Sequence, residues 1–78
     1  MKVEMEYTKE TLIINLSGIL DETTLTDLKR KVFTIIDEYK IENIILNGKN
    51  LTLINQPLLT AFLESYQDKY DGKLIIKT

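Results

Sequence analysis

The side chains with the most obvious chemistry in this chain are carboxylates that fall close together: Asp21-Glu22, Asp37-Glu38, and Asp68 with Asp71. Paired acids suit general acid–base hydrolysis or the binding of a hard cation such as calcium. Adjacent residues on a helix point about 100° apart, so the first two pairs diverge. A capping Asp and a solvated helix face account for them. Lys29-Arg30-Lys31 is the only cationic cluster, and it splays around its helix in the same way. Gly48-Lys49 lacks the Gly-rich lead-in of a phosphate cradle, and neither dinucleotide nor P-loop spacing occurs. Ser17, Ser65 and nine Thr supply hydroxyls, but the chain has no His to activate them and no Cys. No catalytic residue, metal-ligand set or cofactor motif can be named, so an enzyme is not expected.

The elements that must position these residues belong to one small domain of 78 residues. Apolar residues make up 44%, too many for a disordered chain, and the net charge of −2 argues against a basic nucleic-acid binder. No apolar stretch approaches the roughly 20 residues of a membrane span, and Met1–Glu6 alternates apolar with charged residues instead of forming a secretory leader. A cytoplasmic location without membrane insertion is the expectation.

Val3, Met5 and Tyr7 alternate with Lys2, Glu4 and Glu6, the pattern of a half-exposed edge strand. Residues 11–16, with Leu12-Ile13-Ile14 consecutive, read as an interior strand covered on both faces. Asp21 then precedes apolar residues at three- and four-residue spacing: Leu25, Leu28, Val32, Ile35, Ile36 and Tyr39. This predicts a capped amphipathic helix over residues 22–40. Ile44-Ile45-Leu46 is a short apolar strand. The Asn47-Gly48 pair after it is read either as a hairpin turn or as the start of a long functional loop. Asn55-Gln56-Pro57 opens a second helix carrying Leu58, Leu59, Phe62, Leu63 and Tyr66, which Asp71-Gly72 stops. Leu74-Ile75-Ile76 is the last strand. The order ββαβαβ predicts an α/β fold with a mixed, mostly parallel four-stranded sheet and two main helices.

Three segments resemble the STAS family, whose best-known members are bacterial anti-sigma factor antagonists. They are the strand and turn Thr11–Asp21, the strand Asn43–Asn47, and Leu51–Leu59, which falls on the family's signature of apolar residues, Asp, Ser, Ser or Thr, Gly and Leu. Asp71–Ile76 resembles the Gly and strand that follow the second helix. The resemblance spans about residues 7–77 and implies a non-enzymatic protein-interaction module. It makes Asn47-Gly48 a turn within a connector to the second helix. It places the family's phosphorylatable Ser or Thr on Pro57, its Asp on Asn55 and its Gly on Leu58, so the usual phosphorylation switch is not expected here. Family members usually continue beyond the last strand, so the single domain 1–78 reads as C-terminally short.

The implied partner is a protein: a kinase-like anti-sigma factor or, as the alternative, a transporter assembly with this chain as accessory subunit. A small-molecule or nucleotide-binding α/β domain is the remaining alternative, since open sheets bind ligands at the carboxyl ends of parallel strands. Gly18–Glu22 and the stretch Asn47–Pro57 lie at that end. The residues expected at the binding surface are therefore Asp21, Thr23, Asn55, Gln56, Pro57 and Leu58. Strands apolar on both faces, with only two helices to cover them, also suggest self-association.

Overall fold

A computed structural model describes all residues, Met1–Thr78. The order is β1 (Lys2–Thr8), β2 (Thr11–Gly18), α1 (Glu22–Tyr39), β3 (Asn43–Leu51), α2 (Gln56–Lys69) and β4 (Lys73–Lys77). The strands lie side by side in chain order. β1 runs antiparallel to β2, and β2, β3 and β4 are mutually parallel. This is the expected mixed, mostly parallel α/β sheet. Lys9 and Glu10 join the hairpin with φ of 50° and 61°, the left-handed pair that matches strand twist in a two-residue turn.

Each crossover, β2–α1–β3 and β3–α2–β4, moves one strand further in the same direction. Right-handed crossovers of that kind place both helices on the same face. Burial agrees. Leu12, Ile14 and Leu16 of β2 and Ile44 and Leu46 of β3 form one core with Leu25, Leu28, Val32 and Ile36 of α1 and Leu59, Phe62 and Tyr66 of α2. Phe33 joins the helices, with ring centroids 5.7 Å from Phe62 and 5.4 Å from Tyr70.

The expectation of strands covered on both faces is therefore corrected. Ile13 and Ile45 are only half-buried, and Ile75 is 44% exposed. A consecutive apolar run looks two-sided, but α1 and α2 both lie on one side. Tyr39, read as part of the α1 stripe, is exposed too, at the helix end beyond the reach of the core.

The Asn47-Gly48 turn is also corrected. β3 continues through it to Leu51. Pairing with β2 shifts by one residue between Asn15↔Asn47 and Ser17↔Asn50, which leaves one extra residue on β3. This is a bulge, not a reversal. The Asn47 amide donates to Asn15 Oδ1 at 2.9 Å, and Asn47 Oδ1 accepts from the Lys49 N–H at 3.1 Å. Asn47 thus holds the bulge open with a side chain whose type suggested a turn.

Two glycines are required by geometry. Gly18 has φ of +96°, and a Cβ there would lie 3.3 Å from Met1 Cα. A Cβ on Gly72 would collide with the Tyr66 hydroxyl and the Glu42 carbonyl. Gly18→Val is expected to lower the thermal midpoint, because valine is strained at positive φ. Leu28, 1% exposed, is expected to cost roughly 2–5 kcal/mol as Leu28→Ala. Thermal melts check the first and denaturant melts the second, and unchanged midpoints would contradict this turn and core.

Candidate functional site

The carboxyl ends of β2 and β3 meet at one edge of the sheet. Gly18 and Leu51 are register partners, and the Thr52 N–H donates to the Gly18 carbonyl at 2.7 Å. The chain then leaves each strand by a short loop and enters a helix. After β2 come Ile19, Leu20 and the α1 cap Asp21. After β3 come Thr52, Leu53, Ile54 and the α2 cap Asn55. Because β3 runs to Leu51, this second loop is an ordinary four-residue connection, not the long 47–57 segment expected.

Leu20 and Leu51 are buried and anchor the loops. Their neighbours do the opposite. Ile19 is 58% exposed, Leu53 67% and Ile54 40%. Three large apolar side chains thus stand in solvent on adjacent loops, with Met1 packed beside Gly18. The sequence reading missed all three. Their clue was apolar residues outside either helical stripe, on segments too short to bury them.

Of the expected site residues, Thr23, Gln56 and Pro57 are exposed on the first turns of α1 and α2. Asp21 and Asn55 are engaged as caps. Asp21 Oδ1 accepts from the Thr24 N–H at 2.8 Å while the Asp21 N–H donates to Thr24 Oγ1 at 2.8 Å, a reciprocal capping box. Asn55 Oδ1 accepts from the Leu58 N–H at 3.3 Å. Leu58 is half-buried and packs against the core. The edge gathers all six residues at the starts of two neighbouring helices, but only Thr23, Gln56 and Pro57 have side chains both exposed and free of capping. No three His, Cys, Asp or Glu side chains gather into a metal-ligand cluster.

A concavity of about 600 Å³ lies at the opposite edge and is wide open. It is lined by Asp37, Lys40, Glu42, Tyr70, Asp71 and Lys73 among others. Its charged groups engage each other: the Tyr70 hydroxyl donates to Asp37 at 2.7 Å, and Lys69 reaches Asp37 at 3.5 Å. The Tyr70 hydrogen bond, reinforced by Lys69, holds the Asp37 carboxyl below its ordinary value. These contacts tie α1 to the end of α2. No helix of the structure is long and apolar enough to cross a membrane.

No protein-family model matches the sequence. An anti-sigma F factor antagonist of Paenibacillus polymyxa is 31% identical over 67 residues, which cover 86% of this chain and 57% of that protein. The chain thus spans little more than half the length of this curated relative. Among solved structures, the anti-sigma factor antagonist SpoIIAA in its unphosphorylated form superposes with a TM-score of 0.68 at 24% identity, over 96% of this chain and 71% of that one.

The Asp21 carboxyl sits below its ordinary value of 3.8 because the Thr24 N–H and hydroxyl both donate to it. A value lowered by folding contributes stability that is complete above the unfolded value and is lost as pH falls through the folded one. Asp21→Asn keeps a capping oxygen without a titrating charge. Thermal melts from about pH 5 down to about pH 2 should show the advantage of wild type over Asp21→Asn shrinking toward acid. A difference constant across that range would show that the cap does not depend on the charge.

Proposed function

The chain is a STAS-like domain, and from that premise we propose that it is a regulatory module that acts by binding a protein, not by catalysis. Its docking surface is the edge where the β2–α1 and β3–α2 loops meet. The observation that carries this reading is the exposure of Ile19, Leu53 and Ile54 beside the starts of both helices. Exposed apolar side chains ringed by polar ones are the composition of a protein interface. Thr23, Gln56 and Pro57 form the adjoining rim, and Asp21, Asn55 and Leu58 set the angle at which the helices present it. A nucleotide would want a concavity here, whereas the concavity of about 600 Å³ lies at the other end of the sheet.

The partner class is a kinase-type anti-sigma factor, by likeness to the antagonists above. Regulation by phosphate at the usual place is absent in this proposal. Pro57 stands where the family resemblance puts the modified Ser or Thr, and a residue without a hydroxyl cannot take the added charge of roughly −1.5 to −2 that would reset the interface. The position is set as a first-turn proline, which preorganises α2 instead of switching it.

Titration calorimetry with the anti-sigma kinase encoded in the same genome tests the reading. Wild type should bind. Leu53→Asp, Thr23→Arg and Gln56→Arg should each abolish binding, with melting temperatures within about two degrees of wild type, because the three side chains are exposed. Binding that survives all three places the interface elsewhere. Binding to the cytoplasmic part of a transporter, but not to the kinase, replaces this partner class with the other.

Incubation with that kinase and ATP should leave residues 52–60 unmodified, as mapped by mass spectrometry. Phosphate on Thr52 or Thr60, both exposed, would show a displaced switch.

A further inference from the structure

With both helices on one face, the other face of the sheet is open, and its residues follow from the register. One row across the strands is Glu6, Ile13, Ile45 and Ile75. The row on one side is Glu4, Asn15, Asn47 and Lys77, and the row on the other is Thr8, Thr11, Asn43 and Lys73. The face therefore has an apolar centre, a β1 margin that carries Glu4 and Glu6 with Lys2 at its end, and a basic margin on β4.

Of these margin charges only Glu4, with Lys2, is paired within the chain. Lys2 pairs with Glu4 at 3.2 Å along β1. The other two ion pairs, Arg30–Asp27 and Lys69–Asp37, are on the helices. Glu6, Lys73 and Lys77 have no oppositely charged partner within ion-pair distance. The margins are as far apart as the sheet is wide, so neither can neutralise the other within one molecule.

We infer that the open face is covered by a second copy of this chain, in a two-fold dimer that stacks β1 of each copy over β4 of the other. This is a different surface from the loop edge above and stands independently of the partner proposed there. The charge pattern selects the symmetry. In a two-fold interface each contact occurs twice with roles exchanged. An axis parallel to the strands, midway between β2 and β3, exchanges β1 with β4 and β2 with β3. Ile13 then meets Ile45 of the second copy. Glu6 falls over Ile75, between Lys73 and Lys77 of the second copy, and Glu4 faces Lys77. An axis across the strands would instead place β1 on β1, carboxylate over carboxylate, and β4 on β4, ammonium over ammonium. Like-charge juxtaposition rejects that arrangement. Sheets stacked face to face lie about 10 Å apart, a gap that three isoleucines from each side fill.

One small sheet face lies at the low end of stable interface sizes, so the dimer is expected to be weak and concentration-dependent. Sedimentation equilibrium from about 10 μM to about 1 mM should show a monomer–dimer equilibrium that weakens with added salt. Ile75→Lys should abolish it and leave the melting temperature of the monomer nearly unchanged, since Ile75 is on the surface. Glu4→Lys with Glu6→Lys, and Lys73→Glu with Lys77→Glu, should each weaken association by roughly tenfold or more. Combining all four should restore it. Recovery on charge reversal is a readout that a merely destabilised fold would not give. A monomer throughout the range overturns the inference, as does a dimer indifferent to Ile75→Lys, or one lost on Leu53→Asp instead. Failure of the fourfold charge-reversed variant to recover association overturns the two-fold stacking.

Discussion

The handedness of two successive crossovers decides most of this structure. β2, β3 and β4 are parallel and in spatial order, so both connections step the same way across the sheet. A right-handed connection then has only one face on which to lay its helix, and both helices take it. Three consequences follow. The core is single-sided, built from alternate residues of each strand. The starts of α1 and α2 lie next to each other at one edge, which brings Thr23 and Gln56 to the same end of the molecule. The opposite face of the sheet stays bare.

Within that frame the bulge in β3 controls the candidate site. Parallel pairing to Asn47 would end the strand level with Asn15. The extra residue between Asn47 and Asn50 re-aims the chain so that pairing resumes at Ser17 and Gly18. Leu51 drops into the core, and Thr52 bonds back to Gly18. The loop that remains is too short to fold Leu53 and Ile54 back under α2, so they stay in solvent. A hydrogen bond between two asparagine side chains, Asn15 and Asn47, thus sits at the origin of an apolar surface several residues away.

Element type and order were legible because each has a local cause. Asp21 with Thr24 starts α1, Asn55 with Pro57 starts α2, and the apolar period of three and four marks both helices. The strands were recognisable, but their coverage was not. Leu12-Ile13-Ile14 reads the same whether Ile13 is buried or half-exposed, because the answer depends on which side α2 takes, and that is a property of the whole topology. The Asn47-Gly48 pair failed for a related reason. Its local preference for a turn is real, but the pairing of β3 with β2 on one side and β4 on the other overrides it. That the expected site residues share one edge was legible because strand ends and helix starts are local. Ile19, Leu53 and Ile54 escaped notice because exposure of an apolar residue is invisible until the loop length is known.

The two surfaces proposed for this chain do not compete, and their geometry links them. The loop edge lies at the carboxyl end of the parallel strands, whereas the open face lies across their flat side. A two-fold axis parallel to the strands leaves strand direction unchanged, so in the proposed dimer both loop edges point toward the same end. Two copies of Ile19, Leu53 and Ile54 would then be offered side by side. A partner that is itself two-fold symmetric could engage both at once, and the second contact would form at high effective concentration without any new residue. A dimer built on the axis across the strands would send the two edges in opposite directions and lose that gain. The charge margins on β1 and β4 therefore favour the one stacking that presents the proposed binding edge twice on the same side.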